Sequence, residues 1–118
     1  MPTKQEHLDQ ANHNEQFYGS FNRAEYKDWA VTVLFYIALQ YIDAFLATKG
    51  IHPGKHDTRD NSIQRISEIR SLWPHYRFMK DHSRTARYYP PTGFSMSDIN
   101  SLETNHLQQI KVGVRPHL

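Results

Sequence analysis

The stretch WAVTVLFYIALQYIDAFL, residues 29–46, decides the fold of this 118-residue chain. Between residues 30 and 39 it is apolar on nearly every face, which is typical of a helix surrounded by other helices. Three polar residues interrupt it. The stretch therefore falls short of the roughly 20 apolar residues that a bilayer span requires. It predicts a buried core helix over about residues 24–49 and no membrane anchor.

Shorter amphipathic segments flank this core helix on both sides. They lie at residues 4–18, from position 57 or 58 to 72, from 74 to 88, and from 95 or 97 onward. Glycine at position 50 ends the core helix, Pro74 either begins a new helix or kinks a continuous one, and Pro90-Pro91 ends the fourth segment. Short connections between such helices favour an all-α fold, a compact antiparallel bundle of four to five helices. We expect one domain over residues 1–118, with a flexible tail at about 113–118.

The composition limits the chemistry that is available to the chain. It contains no cysteine, which excludes a disulfide framework and a thiolate metal site. The first ten residues are polar and lack the apolar stretch of a secretory signal. We therefore expect a cytoplasmic protein with no membrane contact, no metal and no other cofactor.

The net charge of +2 is unevenly distributed along the chain. Residues 1–51 hold four basic and six acidic side chains, whereas residues 52–87 hold eight basic and four acidic ones. Four of the eight histidines also lie in this second region and become more positive near an anion. The sequence therefore predicts that an anionic partner contacts residues 52–87.

The helix predicted over residues 74–88 offers a cationic face. Stepping at 100° per residue places four cations on one stripe less than a quarter-turn wide: Arg77, Lys80, Arg84 and Arg87. This basic ridge is suited to phosphate, since arginine forks bind phosphate oxygens in a bidentate way. The alternative is a solvated helix face that is partly paired with Asp81 and Glu68. Tyr88, at the end of the helix, is a candidate for stacking on bases.

A further line on the same helix joins His75, His82 and Tyr89 at seven-residue spacing. Together with the apolar surplus of the core helix, this line exceeds what one small bundle can cover. The sequence therefore predicts a homodimer.

The loop segment HPGKHDTRD, residues 52–60, combines histidines with carboxylates. Its potential ligands for zinc or manganese are His52, His56, Asp57 and Asp60. The Pro-Gly break keeps the two imidazoles off a common helix face. We therefore favour the alternative in which His56 and Asp57 cap the helix that follows, with Arg59 pairing in its first turn.

Two polar side chains, Gln40 and Asp43, stand in the core helix. Buried polar groups are costly unless they are hydrogen-bonded or paired. We therefore predict that neighbours such as Arg59 or Arg87 satisfy them, which would also position those arginines.

Three groups of residues follow one another in a recognisable order: LFYIALQYIDAFL at 34–46, KGIHP at 49–53 with His56, and Ala86-Arg87-Tyr88. In this order they resemble the HEPN domain, where a long apolar helix, a glycine-terminated loop with a histidine and a late Ala-x-Tyr-like element recur. The resemblance covers about residues 27–112. It implies a helical bundle that pairs into a homodimer. It also implies an association with nucleic acid, or with toxin–antitoxin and nucleotidyltransferase systems.

Catalytic HEPN members are similar to metal-independent endoribonucleases that carry an arginine and, a short spacing later, a histidine on a late helix. The resemblance thus implies Arg77 and His82 as catalytic residues. The residues predicted to bind RNA are His56, Arg59, Lys80, Arg84, Arg87 and Tyr88. An alignment on the Ala86-Arg87-Tyr88 element instead places Ser83 where many members have arginine. The alternative is then a non-catalytic interaction module that binds a nucleotide or a protein partner, such as a nucleotidyltransferase or an antitoxin.

Overall fold

The computed structural model describes residues 1–89 and 93–118, and within these ranges every regular element is helical. The main helices are α1 Lys4–Tyr18, α2 Lys27–Thr48, α3 His56–Arg65, α4 Trp73–Tyr88 and α5. Helix α5 joins the segments Met96–Ser101, Leu102–Leu107 and Gln108–Val114, of which the second is π-helical. Short 3-10 turns lie at Arg70–Leu72 and Arg115–His117. The predicted all-α bundle is confirmed, whereas Pro90 and Pro91, predicted to end α4, lie outside the described residues.

Helix α2 is the core of the bundle, as its apolar sequence predicts. Fourteen of its 22 residues are buried, and α1, α4 and α5 all pack against it. Its length and composition would suffice to cross a bilayer, but 78% of its most apolar window is buried inside the bundle. It therefore packs as a core helix.

The end of α2 has the geometry predicted from Gly50. This glycine has φ +72°, a left-handed conformation that other residues adopt at a cost. Its N–H donates to the carbonyl of Ala47, and the N–H of Ile51 donates to the carbonyl of Leu46 at 2.9 Å. These two bonds form the Schellman arrangement, which satisfies carbonyls that the helix end would leave open.

Helix α4 begins at Trp73, with Pro74 in its first turn. Proline is accepted there because the first N–H groups of a helix have no partner in the helix. Pro74 therefore begins a new helix and does not kink a continuous one. The face that α4 turns to the core consists of Tyr76, Met79, Ser83 and Ala86.

Helix α3 is shorter than the sequence predicts and ends at Arg65, not near residue 72. Ile66 adopts an extended conformation with φ −85° and ψ 117°, which breaks the helical register. Beyond this break, Ile69 and Leu72 lie in the core, where they are 0% and 6% exposed.

The C-terminal segment is helical, whereas the sequence predicts a flexible tail at about 113–118. Helix α5 continues through Gly113 to Val114, which is fully buried, and Leu118 packs against the core. A Cβ placed on Gly113 would lie 2.6 Å from a methyl carbon of Leu72. The glycine thus lets Leu72 pack closely against α5 and does not end the helix.

Candidate functional site

A buried ion pair joins α2 to α3, at one edge of a polar region that lies between α2, α3 and α4. The Arg59 guanidinium donates to both carboxylate oxygens of Asp43, at 2.7 and 3.0 Å. The two residues are only 7% and 6% exposed. Of the two arginines that the sequence offered as partners of Asp43, Arg59 and Arg87, the structure selects Arg59. Gln40, by contrast, is satisfied by the ring of His7, whose Nδ1 lies 2.7 Å from the Gln40 side-chain oxygen.

A second ion pair joins α3 to α4 beside the first. Lys80 binds the carboxylate of Asp60, and about one seventh of each side chain is exposed. The other carboxylate oxygen of Asp60 is buried without a hydrogen-bond partner among the described residues. The Tyr76 hydroxyl and the Ser83 hydroxyl, on the neighbouring face of α4, share this condition. Burial raises the pKa of the Tyr76 phenol, with the carboxylates of Asp60 and Asp43 adding to the effect against the charge of Arg59.

Arg87 completes the polar region from the last turn of α4. Its guanidinium donates to the Tyr36 hydroxyl and to the Ser83 carbonyl, each at 3.2 Å. It also lies over the rings of Tyr36 and Tyr88, at 5.8 and 5.2 Å from their centroids. Both hydrogen-bond acceptors are uncharged, and none of the ion pairs formed within residues 1–89 and 93–118 includes Arg87.

His56, the first residue of α3, lies among these cations. Its Nδ1 is 3.4 Å from an Arg59 nitrogen, and its ring centroid is 6.4 Å from that of Phe35. Partial burial holds the pKa of His56 below its ordinary value, reinforced by the charges of Arg59, Lys80 and Arg87 and opposed by Asp60. We call the cations Arg59, Lys80 and Arg87, together with the adjacent His56, the cation cluster.

The cation cluster carries a surplus of positive charge. Asp43 and Asp60 each offset one cation, Arg59 and Lys80, and the lowered pKa keeps His56 largely neutral at pH 7. Among the described residues of the cluster, the positive charge of Arg87 is then the one that no carboxylate offsets. A partly buried guanidinium with aromatic neighbours and no carboxylate is suited to receive an external anion.

The basic ridge predicted on α4 is divided in the structure, which corrects the prediction of one continuous stripe. Lys80 and Arg87 turn inward to the seam between α2, α3 and α4, because they border the buried face of α4. Arg77 and Arg84 point outward and are exposed. Arg77 approaches Asp81 at only 3.9 Å, in a pair whose side chains are 68% and 59% exposed. Tyr88 is 66% exposed, beside Arg87.

The two residues implied as catalytic do not meet within one chain. Arg77 lies on the outward face with Asp81, whereas the His82 ring packs against Phe78 at a tilt of 31°, with 4.1 Å between the ring centroids. The His82 Nδ1 is 2.8 Å from the Phe78 carbonyl oxygen, so Nδ1–H donates and Nε2 keeps its lone pair. This tautomer suits a general base, but the Arg77 guanidinium of the same chain lies on another face of α4.

A cluster of histidines and aromatic rings surrounds His82, and the sequence interpretation missed most of it. Phe78 stacks on His106 at 4.3 Å, and the Nδ1 atoms of His75 and His106 are 3.1 Å apart. Burial lowers the pKa of His106, and the charges of His75 and His82 lower it further. His106 lies in the π-helical segment of α5. The seven-residue line of His75 and His82 was the available signal, but the partner helix could not be identified from it.

The predicted loop ligands do not assemble into a metal centre. The part of the chain that the structure describes contains no group of three or more histidine, aspartate or glutamate side chains arranged to hold a metal ion. Helix α3 begins after Lys55 without a side-chain cap. The predicted capping by His56 and Asp57 is therefore wrong, because both residues already lie in the first turn of the helix. Arg59 pairs with Asp43 of α2 and not within that turn.

An aromatic cleft lies between α1 and α2, and nothing in the sequence interpretation pointed to it. Its volume is about 660 Å³. Its lining residues are uncharged: Gln10, Asn14, Phe17, Phe21, Tyr26, Trp29, Thr32, Val33, Tyr36 and Gln40. The signal that could have found it is the row of large aromatic side chains on either side of the turn between the two helices.

The chain was compared with protein-family models, with curated proteins and with solved structures, and none of them matches it.

Proposed function

We propose that this chain is a HEPN-like nucleic-acid-binding protein that holds single-stranded RNA through phosphate contacts at the cation cluster. The observation that carries the proposal is a convergence of residues distant in the sequence. His56 and Arg59 of α3 meet Lys80 and Arg87 of α4 around one seam, with a net positive charge. These are four of the six residues predicted to bind RNA.

Arg87 is the group that a phosphate would engage first. Among the described residues, its two hydrogen-bond acceptors are the Ser83 carbonyl and the Tyr36 hydroxyl, which carry no charge. A phosphate oxygen would therefore supply the negative partner for this guanidinium. Arg84 and Arg77 extend the positive surface along the outer face of α4, and the exposed ring of Tyr88 is available to stack on a base. The same geometry would order an RNA strand along α4.

RNA cleavage would require more than one chain. In such a reaction Nε2 of His82 would take the 2′-hydroxyl proton, and the 2′-oxygen would attack the adjacent phosphorus. The Arg77 guanidinium would stabilise the charged phosphorane, after which the P–O5′ bond would break and the 5′-oxygen would take up a proton from water. Because the two residues lie on different faces of α4, we propose that the catalytic form is a homodimer in which Arg77 of one copy faces His82 of the other. The separation of the two residues within one chain equally favours a second candidate function, a non-catalytic module that binds a nucleotide or a protein partner.

The binding proposal is tested by fluorescence anisotropy with a labelled single-stranded RNA over a series of salt concentrations. Affinity should fall steeply with salt, because phosphate contacts release counterions. Arg87→Gln should weaken binding and lower the log–log slope by about one unit. Arg115→Gln, at an exposed arginine in the C-terminal 3-10 turn, is the matched control and should leave the slope unchanged.

Two results would overturn parts of the proposal. An absence of salt-sensitive RNA binding at low ionic strength would remove the nucleic-acid function. Equal losses in Arg87→Gln and Arg115→Gln would show that binding is diffuse and not centred on the cation cluster. Cleavage is tested separately with His82→Ala, which should abolish it while binding remains.

A further inference from the structure

The aromatic cleft concentrates exposed rings in one place. Phe17, Tyr26 and Trp29 are 49%, 47% and 56% exposed, and all three line it together with Phe21 and Tyr36. Large aromatic side chains left open to water in one contiguous patch indicate a binding surface more often than isolated ones do. Half of the lining residues are aromatic and none is charged, so the cleft suits a flat, neutral, aromatic group.

The same cleft is contiguous with the cation cluster through one residue. Tyr36 lines the cleft, and its hydroxyl accepts the hydrogen bond from Arg87. The ring of Tyr36 also lies 5.8 Å from the Arg87 guanidinium carbon. A ligand that fills the cleft at its Tyr36 end therefore comes close to the cation that lacks a carboxylate.

The wall formed by α1 offers a pair of amides. The Gln10 side-chain nitrogen donates to the Asn14 side-chain oxygen at 2.9 Å. Within the described residues, this bond leaves the side-chain oxygen of Gln10 free to accept and the side-chain nitrogen of Asn14 free to donate. Adjacent donor and acceptor groups of this kind are what the edge of a nucleobase requires.

We propose that the aromatic cleft binds one unstacked base of an RNA strand while Arg87 holds the adjoining phosphate. This inference rests on the proposed function and names the form of nucleic acid that the site takes: a single strand with a base turned out of its stack. The cleft volume of about 660 Å³ lies within the range of small-molecule sites. Stacking on the open rings supplies affinity, and the amide pair of Gln10 and Asn14 selects among bases.

Tryptophan fluorescence gives a direct test, because the chain has two tryptophans and only Trp29 lines the cleft. In a Trp73→Phe variant, adenosine monophosphate should quench Trp29, whereas ribose 5-phosphate should not. In the reciprocal Trp29→Leu variant the remaining Trp73 should stay unquenched. Since Trp29 is more than half exposed, the reciprocal variant should fold normally, and circular dichroism checks both.

The link to the phosphate is tested with the same probe. Arg87→Gln in the Trp73→Phe background should lower the affinity for adenosine monophosphate and leave that for adenosine unchanged. For RNA, replacing the bases of a short strand with abasic ribose should weaken binding to the wild-type chain by roughly 5- to 150-fold per stacked base. Trp29→Leu should reduce that difference.

The outcomes separate this inference from the function on which it rests. Salt-sensitive RNA binding with equal affinity for abasic and normal strands would overturn the base site and leave the proposed function standing. Quenching of Trp29 by decanoate but not by nucleotides would also overturn it and would mark the cleft as a lipid site. If neither RNA nor nucleotide binds at low salt, both proposals fail together.

Discussion

Removing one partner of the buried Asp43–Arg59 pair should be the most damaging single change near the site. Arg59→Met keeps much of the volume of the side chain but leaves the Asp43 carboxylate, which is 6% exposed, without its two hydrogen bonds. Breaking a buried ion pair in this way costs about 3–5 kcal/mol. For a chain of this length, the unfolding entropy converts each kcal/mol into about 4 °C of Tm. The expected loss is therefore about 12–20 °C.

Urea unfolding followed by circular dichroism measures this change, with a double variant and an exposed pair as controls. Asp43→Leu combined with Arg59→Met removes both charges and should recover at least about 2 kcal/mol, since no uncompensated charge stays buried. Lys49→Met breaks the exposed pair of Lys49 with Glu68 and should leave the free energy of unfolding nearly unchanged. If Arg59→Met is no worse than Lys49→Met, the pair is not the anchor between α2 and α3 that the geometry indicates.

Other expected outcomes concern pH, packing and assembly. The pKa of His56 and that of His106 are lowered in the folded chain, so on acidification the unfolded chain takes up these protons first. The free energy of unfolding should therefore fall as pH drops below about 6.5. Urea titrations at several pH values measure this profile, which His106→Asn should flatten. Gly113→Ala should lower the free energy of unfolding by about 1–3 kcal/mol because its Cβ would press on Leu72. Gly54→Ala, with open space around it, should be nearly neutral. Equal melting temperatures of the two variants would contradict the close packing at Gly113. Light scattering over a concentration series should show a homodimer, and a strictly monomeric mass at high concentration would remove the composite Arg77–His82 site.

Local sequence pattern determined the core helix α2 and its end because their causes are local. The continuous apolar run of α2 predicts a helix buried on all sides, and Gly50 predicts its end, since only a left-handed residue closes that turn without strain. That Asp43 pairs with an arginine also followed from the sequence, whereas the structure decided between Arg59 and Arg87. A carboxylate inside an apolar helix needs a cation, and few cations are available near it.

The tertiary structure decided the features that depend on which helix faces which. Gly113 resembles a helix end in the sequence, but the approach of Leu72 makes it a packing position within α5. The cations of α4 share one stripe in the sequence, yet Lys80 and Arg87 are drawn inward by Asp60 and Tyr36, which belong to other helices.

The aromatic cleft is the clearest case of a feature that only the fold creates. Its residues come from α1, from the following turn and from one face of α2, and no single segment shows a pattern typical of a binding site. Helical periodicity reports which side of a helix avoids water, whereas a cleft depends on the distance that two packed helices leave between them. That distance is set by the summed packing of the whole bundle, and so it is absent from any local stretch of the sequence.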